Sequence, residues 1–148
     1  LDAPCHVGPE ALDPGPSFHS ERAQYHSTEL LARLEGLRCP ASWRVLGVTS
    51  LDLYIPILTF VFGEAQMNGG CAVISSHRLR QEFYGLPPDA DLAAERVLKE
   101  CVHELGHTLG LTHCDDYTCA MAPSHSVEWI DLKGVSYCLE CRAKVGQL

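Results

Sequence analysis

From about Ser20 to Gly36 the residues Ala23, Leu30, Leu31, Leu34 and Leu37 recur at helical spacing among Glu, Arg, Gln and Ser. This pattern predicts an amphipathic helix ending near Gly36, suited to cover one face of a sheet. VLGVTS and, beyond Pro56, ILTFVF are rich in β-branched and aromatic residues, and each predicts a strand. The Gly69-Gly70 pair introduces a third, CAVISS, whose apolar residues run nearly without a break. After Pro87-Pro88, Leu92, Val97, Leu98, Val102, Leu105 and Leu109 mark a longer helix from about Asp91 to Leu109, with acids near its start where the helix dipole favours them. Gly110 ends it, because a glycine just past the last turn can take the left-handed conformation. From Leu111 onward the chain reads as cysteine-punctuated loop and then a short helix carrying Cys138 and Cys141. The Pro- and Gly-rich first twenty residues read as loop or an irregular edge strand.

The 148 residues, 46% hydrophobic and 20% charged, suit one globular domain over residues 1–148, with an upper subdomain over residues 1–110 and a lower subdomain over residues 111–148. The most apolar run, LDLYIPILTFVF, is broken by Asp52 and Pro56 and falls short of the roughly eighteen residues of a membrane span, so no membrane partner is expected. A net charge of -8 argues against nucleic acid, since phosphate binding needs a basic face. The opening LDAPCHVGPE lacks the basic flank and apolar core of a secretory signal, and it starts without Met, so either the first residue has been processed or the chain is a fragment.

Eight cysteines raise the question of a disulfide framework. Their spacing speaks against one. Cys114, Cys119, Cys138 and Cys141 form two close pairs near the end, while Cys5, Cys39, Cys71 and Cys101 stand alone, which fits metal binding in a reducing cytoplasm better.

His103 and His107, four apart on the long helix, project from one face and can share a metal ion. Glu104 between them can lean toward an open coordination position and take a proton from water held there. His113 follows at the third position after Gly110, completing H-E-x-x-H-x-x-G-x-x-H without a break. Three neutral imidazoles leave a Zn(II) ion its full charge, which lowers the pKa of its water to about 7. Cys114 follows His113 at once, yet neighbouring side chains in an extended segment point to opposite sides. Cys114 therefore belongs with Cys119, Cys138 and Cys141 in a closed four-thiolate site that replaces the hydrophobic core a short C-terminal subdomain lacks. Met121 could lie as an apolar floor beneath the histidines. His6, His19, His26, His77 and His125 read as ordinary solvated or hydrogen-bonded residues.

The string from His103 to His113 with Cys114, Cys119, Met121, Cys138 and Cys141 resembles the archaemetzincins, and RAQYHSTELL, VLGVTSLDLYIP, FVFGEAQ and EFYG extend the likeness over about Arg22 to Lys144. The resemblance implies an α+β metzincin fold: a twisted mixed sheet with covering helices, an active-site helix and a small lower subdomain with a methionine turn at Met121. It implies a catalytic zinc on His103, His107 and His113, Glu104 as general base, and a structural zinc on the four cysteines, two Zn(II) per chain. Two features depart from the pattern. The resemblance implies a first strand and helix ahead of the residues up to about Phe18, which are expected to be absent or cut away here, so that an upstream segment is the expectation, and Pro123 stands where some metzincins place a tyrosine ligand.

The expected activity is zinc-dependent hydrolysis of a peptide or protein substrate by a cytoplasmic monomer, with CAVISS as the sheet edge on which extended substrate is laid. The rival is a non-proteolytic zinc-binding scaffold that keeps the metzincin site, although it would have no use for Glu104. A three-histidine ribonuclease is disfavoured by that same glutamate and by the acidic charge.

Overall fold

Three short segments, 18–26, 45–54 and 63–75, supply every strand of the computed structural model, which describes residues 3–8, 12–39 and 42–146. Strands β1 (Phe18–His19), β2 (Gln24–His26) and β4 (Leu53–Tyr54) form one sheet in the order β1-β2-β4. Strands β3 (Val45–Thr49), β5 (Gly63–Ala65) and β6 (Cys71–Ser75) form the other in the order β3-β6-β5. Both are mixed, with β6 parallel to β3 and antiparallel to β5.

Helix α1 (Ser27–Glu35) begins later than the periodicity predicts. The residues before it form the β1–β2 hairpin, and Ala23, counted as a helical position, instead takes a left-handed φ of 52° in the hairpin turn. Leu30, Leu31 and Leu34 do face inward, packing on Leu53, Cys71 and Val73. Each such leucine contributes about 1.5–3 kcal/mol when removed from water.

Two strand expectations need correction. ILTFVF is not a strand: Pro56 has no N–H to give a ladder, the Leu58 amide closes a turn on the Ile55 carbonyl at 3.0 Å, and Ile57 is 86% exposed. Its last two residues alone are paired, the Val61 amide to the Leu53 carbonyl at 2.9 Å and the Phe62 carbonyl to the Ser75 amide at 2.8 Å, and the continuous strand begins after them as β5. CAVISS is not an edge either. As β6 it lies between β3 and β5 with all five residues buried, which is what an apolar run lacking polar alternation signals. The antiparallel edge is β5.

Helix α2 (Ala90–Thr108) matches its expected span closely, with Asp89 accepting the Leu92 amide at 2.9 Å as N-cap. Its buried face is nevertheless polar. Leu98 is exposed, whereas Arg96, Lys99, Glu100, His103 and Glu104 are buried. Burial of these charges is tolerable only because each cation has an acid: Arg96 forks onto Asp131 at 2.7 Å through Nε and Nη2, and Lys99 meets Glu95 at 2.7 Å.

Helix α3 (Val127–Leu132) carries Asp131 and has no counterpart in the sequence pattern, because six residues are too few to display a period. Helix α4 (Leu139–Val145) is the expected short one, capped by Cys138 and containing Cys141. Among the described residues no helix is long and apolar enough to cross a membrane.

Candidate active site

Helix α2 ends in a Schellman turn that shapes the site. The Gly110 amide bonds the His107 carbonyl at 3.0 Å, the Leu111 amide bonds the Gly106 carbonyl at 3.0 Å, and Gly110 takes a left-handed φ of 85°. The reversal brings the Leu111 carbonyl to 2.7 Å from His107 Nδ1. His103 Nδ1 likewise lies 2.8 Å from the Ala120 carbonyl. A carbonyl only accepts, so both Nδ1 atoms carry the hydrogen and both Nε2 atoms present lone pairs.

Those two Nε2 atoms are 3.2 Å apart. Facing lone pairs at that distance repel unless a cation lies between them. Burial, with the nearby Lys133 ammonium, holds His103 down to about 3, so a shared proton is a poor candidate for that cation. A metal fits better, because nitrogens each 2.0–2.1 Å from a tetrahedral zinc stand about 3.4 Å from one another. His113 completes the triangle from the exposed side, its ring 5.3 Å from that of His103 and 5.1 Å from that of His107.

The four cysteines form a separate group, with one donor atom from each within 4.8 Å of the others. Cys114 Sγ and Cys138 Sγ are 3.8 Å apart, far beyond a disulfide bond but close to the separation of two thiolates on one tetrahedral zinc, about 3.8 Å. The amides of Met121 and Cys138 both donate to Cys119 Sγ, at 3.4 and 3.3 Å, as suits a sulfur carrying negative charge. His113 and Cys114, adjacent in the chain, thus belong to different clusters. The donor sets, three imidazoles and four thiols, are those that zinc takes in open and closed sites respectively.

A sequence model for peptidase family M54 matches residues 15–147. The chain belongs to the archaemetzincins. It is 44% identical over 141 residues to the archaemetzincin of Methanocaldococcus jannaschii, covering 95% of this chain and 76% of that one. The crystal structure of archaemetzincin from Methanopyrus kandleri superposes with a TM-score of 0.81 at 43% identity, covering 90% of this chain and 71% of that one. A zinc-dependent peptidase from Methanocorpusculum labreanum superposes at 0.82 with 34% identity, covering 87% and 78%. The α+β zinc-peptidase fold is therefore established, and the chain is a zinc metalloprotease acting on a peptide or protein.

In this archaemetzincin Glu104 is buried and packs against β5. A methyl group on Gly63 would lie 2.8 Å from Glu104 Cγ and 2.8 Å from the Val73 carbonyl oxygen, so only a glycine lets the edge strand come this close. Burial and the neighbouring Glu100 carboxylate lift the Glu104 carboxyl well above the usual range; Lys133 opposes them and Glu64 adds to them. Met121 is fully buried, with its sulfur turned to the face of α2 at Gly106, between the two helical histidines.

Three further charged residues of the archaemetzincin site carry no motif. Glu64 of β5 accepts hydrogen bonds from Ser27 and from Thr28 Oγ1, the latter at 2.9 Å, which fastens the edge strand to the start of α1. Lys133, fully buried, pairs with the buried Glu100 at 2.8 Å and donates to the Ala122 carbonyl at 3.3 Å. Its Nζ is also 3.4 Å from His103 Nδ1, a contact between two donors that the Ala120 carbonyl prevails over. Glu100 goes unmarked in the sequence analysis, and the signal that could have found it is its place in a polar stripe with His103, Glu104 and His107 at helical spacing. Nothing local marked Lys133, which arrives from just beyond α3.

Lys133→Met leaves the Glu100 carboxylate buried and unpaired, at an expected cost of about 3–5 kcal/mol in denaturant unfolding. Adding Glu100→Met to the same chain restores most of that loss, because the pair is then replaced by packed apolar groups. A single variant no less stable than the double one contradicts this account of the pair.

Proposed function

We propose that the metalloprotease holds two zinc ions per chain, one on His103, His107 and His113 and one on Cys114, Cys119, Cys138 and Cys141, and that Glu104 is its general base. The observation that carries the histidine centre is the pair of Nε2 lone pairs held 3.2 Å apart by two backbone carbonyls. Zinc there supplies Lewis acidity, polarising a carbonyl and acidifying water.

The chain's own residues supply the rest. Glu104, beside the first histidine and raised in pKa by its buried setting, takes a proton from the attacking water and returns it to the leaving amine. It meets the substrate at β5. Among the described residues that strand has a partner strand on one side only, so an extended peptide added along it runs past Gly63 and the Glu104 carboxylate packed there. His103 and His107 are kept in a single tautomer by Ala120 and Leu111, and so need no reorientation during turnover.

Zinc analysis of the purified chain, paired with a peptide-library cleavage assay, tests this reading. His103→Ala with His107→Ala is expected to remove one zinc per chain and all cleavage while leaving the cysteine-bound zinc. Full zinc content in that variant, or cleavage that survives it, rules the histidine centre out.

A further inference from the structure

Among the described residues a third group of ligating side chains exists, far in sequence from the two above: His19, His26 and Glu29. Its members come from three consecutive pieces of structure. His19 ends β1, His26 ends β2 and immediately precedes α1, and Glu29 lies in the first turn of that helix. The hairpin folds His19 back beside the helix start, so both imidazoles meet one carboxylate.

The convergence is on a single atom. Glu29 Oε1 is 3.2 Å from His19 Nε2 and 3.1 Å from His26 Nδ1, with Oε2 also 3.4 Å from His19 Nε2. Two imidazoles on one carboxylate oxygen form a tripod whose nitrogen–oxygen edges are close to those of ligands around one ion, about 3.4 Å for bonds of 2.0–2.2 Å. The rings are held from behind. His26 stacks on Tyr54 at 5.2 Å and 23°, His19 meets the same ring edge-on at 5.7 Å, and the two imidazoles are perpendicular at 5.8 Å. Arg22, the nearby cation, is spent elsewhere: its guanidinium lies over Tyr54 at 4.0 Å and bonds Gln24 and the carbonyls of Leu58 and Thr59.

We propose that His19, His26 and Glu29 form a third metal site, binding a divalent first-row transition ion of the zinc class. Two imidazoles and a carboxylate suit such ions, and His19 and Glu29 are 44% and 42% exposed, which leaves room for water at the remaining positions. With the ion bound, each imidazole offers the lone pair of the nitrogen that faces Glu29 and carries its hydrogen on the other ring nitrogen, so the ion takes the place of the two N–H bridges to the carboxylate. It clips the β1–β2 hairpin to α1 at the turn where Ser27 and Thr28 grip Glu64 of the substrate-edge strand. The function of the site is thus to brace that strand's support from outside the catalytic centre. It binds more weakly than a closed thiolate site, because it has three ligands and sits at the positive end of a helix dipole.

The test compares the full chain with two variants, His19→Ala combined with His26→Ala, and Glu29→Gln, each brought to equilibrium by dialysis against micromolar Zn2+ and its bound zinc read against the dialysate. Wild type is expected to carry one more zinc per chain than either variant and to melt higher as Zn2+ is raised over that range, with the rise absent in both variants. Glu29→Gln keeps the side chain's shape and its place in the turn, so it reads the site even if the double variant folds poorly. Equal zinc content in wild type and Glu29→Gln overturns the proposal, as does a zinc-dependent rise in melting temperature of the same size in both. Because the reading is a difference between chains, it stands whether or not the histidine and cysteine centres behave as proposed.

Discussion

Glu104→Ala retains its zinc and loses peptide hydrolysis by about 10²–10⁴-fold, the usual contribution of a positioned general base. The carboxylate is not one of the three converging ligands, so removing it leaves the imidazole triangle and its carbonyl supports intact. Stability is not expected to suffer either. Glu104 is a buried acid with Glu100 and Glu64 beside it, and its raised pKa records that the folded chain resists its negative charge. Glu104→Gln should give the same catalytic loss with a melting temperature equal to or above wild type. The measurement is hydrolysis per mole of bound zinc; a rate within a few-fold of wild type removes Glu104 from the chemistry.

Cys138→Ser with Cys141→Ser is expected to unfold the C-terminal region of the chain and to take the catalytic centre with it. A structural zinc site supplies about 10–16 kcal/mol of apparent binding free energy, which in small subdomains is folding free energy. Little else is available there. Helix α4 has seven residues, too few to persist alone, and the surrounding apolar cluster of Leu111, Ala120, Met121 and Tyr137 includes Cys119 and Cys141 themselves. Once Cys114 is released, His113 is no longer held from the next position, and the Ala120 carbonyl that orients His103 moves with the same loop. Hydrogen exchange should show residues 111–146 losing protection while the sheet and α1 keep theirs, with hydrolysis abolished although no catalytic-site side chain has changed. Retained protection over 111–146 would mean that apolar packing, rather than a metal, holds this region.

The site was readable where its geometry is local. His103 and His107 share a helical face whatever the rest of the chain does, and Gly110 permits a left-handed exit that brings His113 round within a few residues. The strand pairing was not readable in the same way. CAVISS carried the mark of a central strand, an apolar run buried on both faces, but its place between β3 and β5 follows from partners that lie outside any local window, as in the pairing of Cys71 with Val45. ILTFVF has strand-like composition but begins as a turn, because Pro56 and the Ile55–Leu58 bond delay the ladder until Val61 and Phe62. Likewise His19 and His26 read as ordinary solvated or hydrogen-bonded residues, and only the hairpin shows that both meet the same carboxylate, Glu29.

The amino-acid sequence alone therefore determined the chemistry: which donors exist, that a glutamate stands between two of the histidines, and that His113 and Cys114 serve different clusters, since side-chain direction alternates along an extended chain. Tertiary structure alone decided which strand lies at the edge beside Glu104, that the inner face of α2 is charged, and that Lys133 comes back from beyond α3 to neutralise Glu100 beneath the first histidine. These are choices among distant partners, set by which buried charges and backbone groups must be satisfied together, and no short window of residues contains both sides of them.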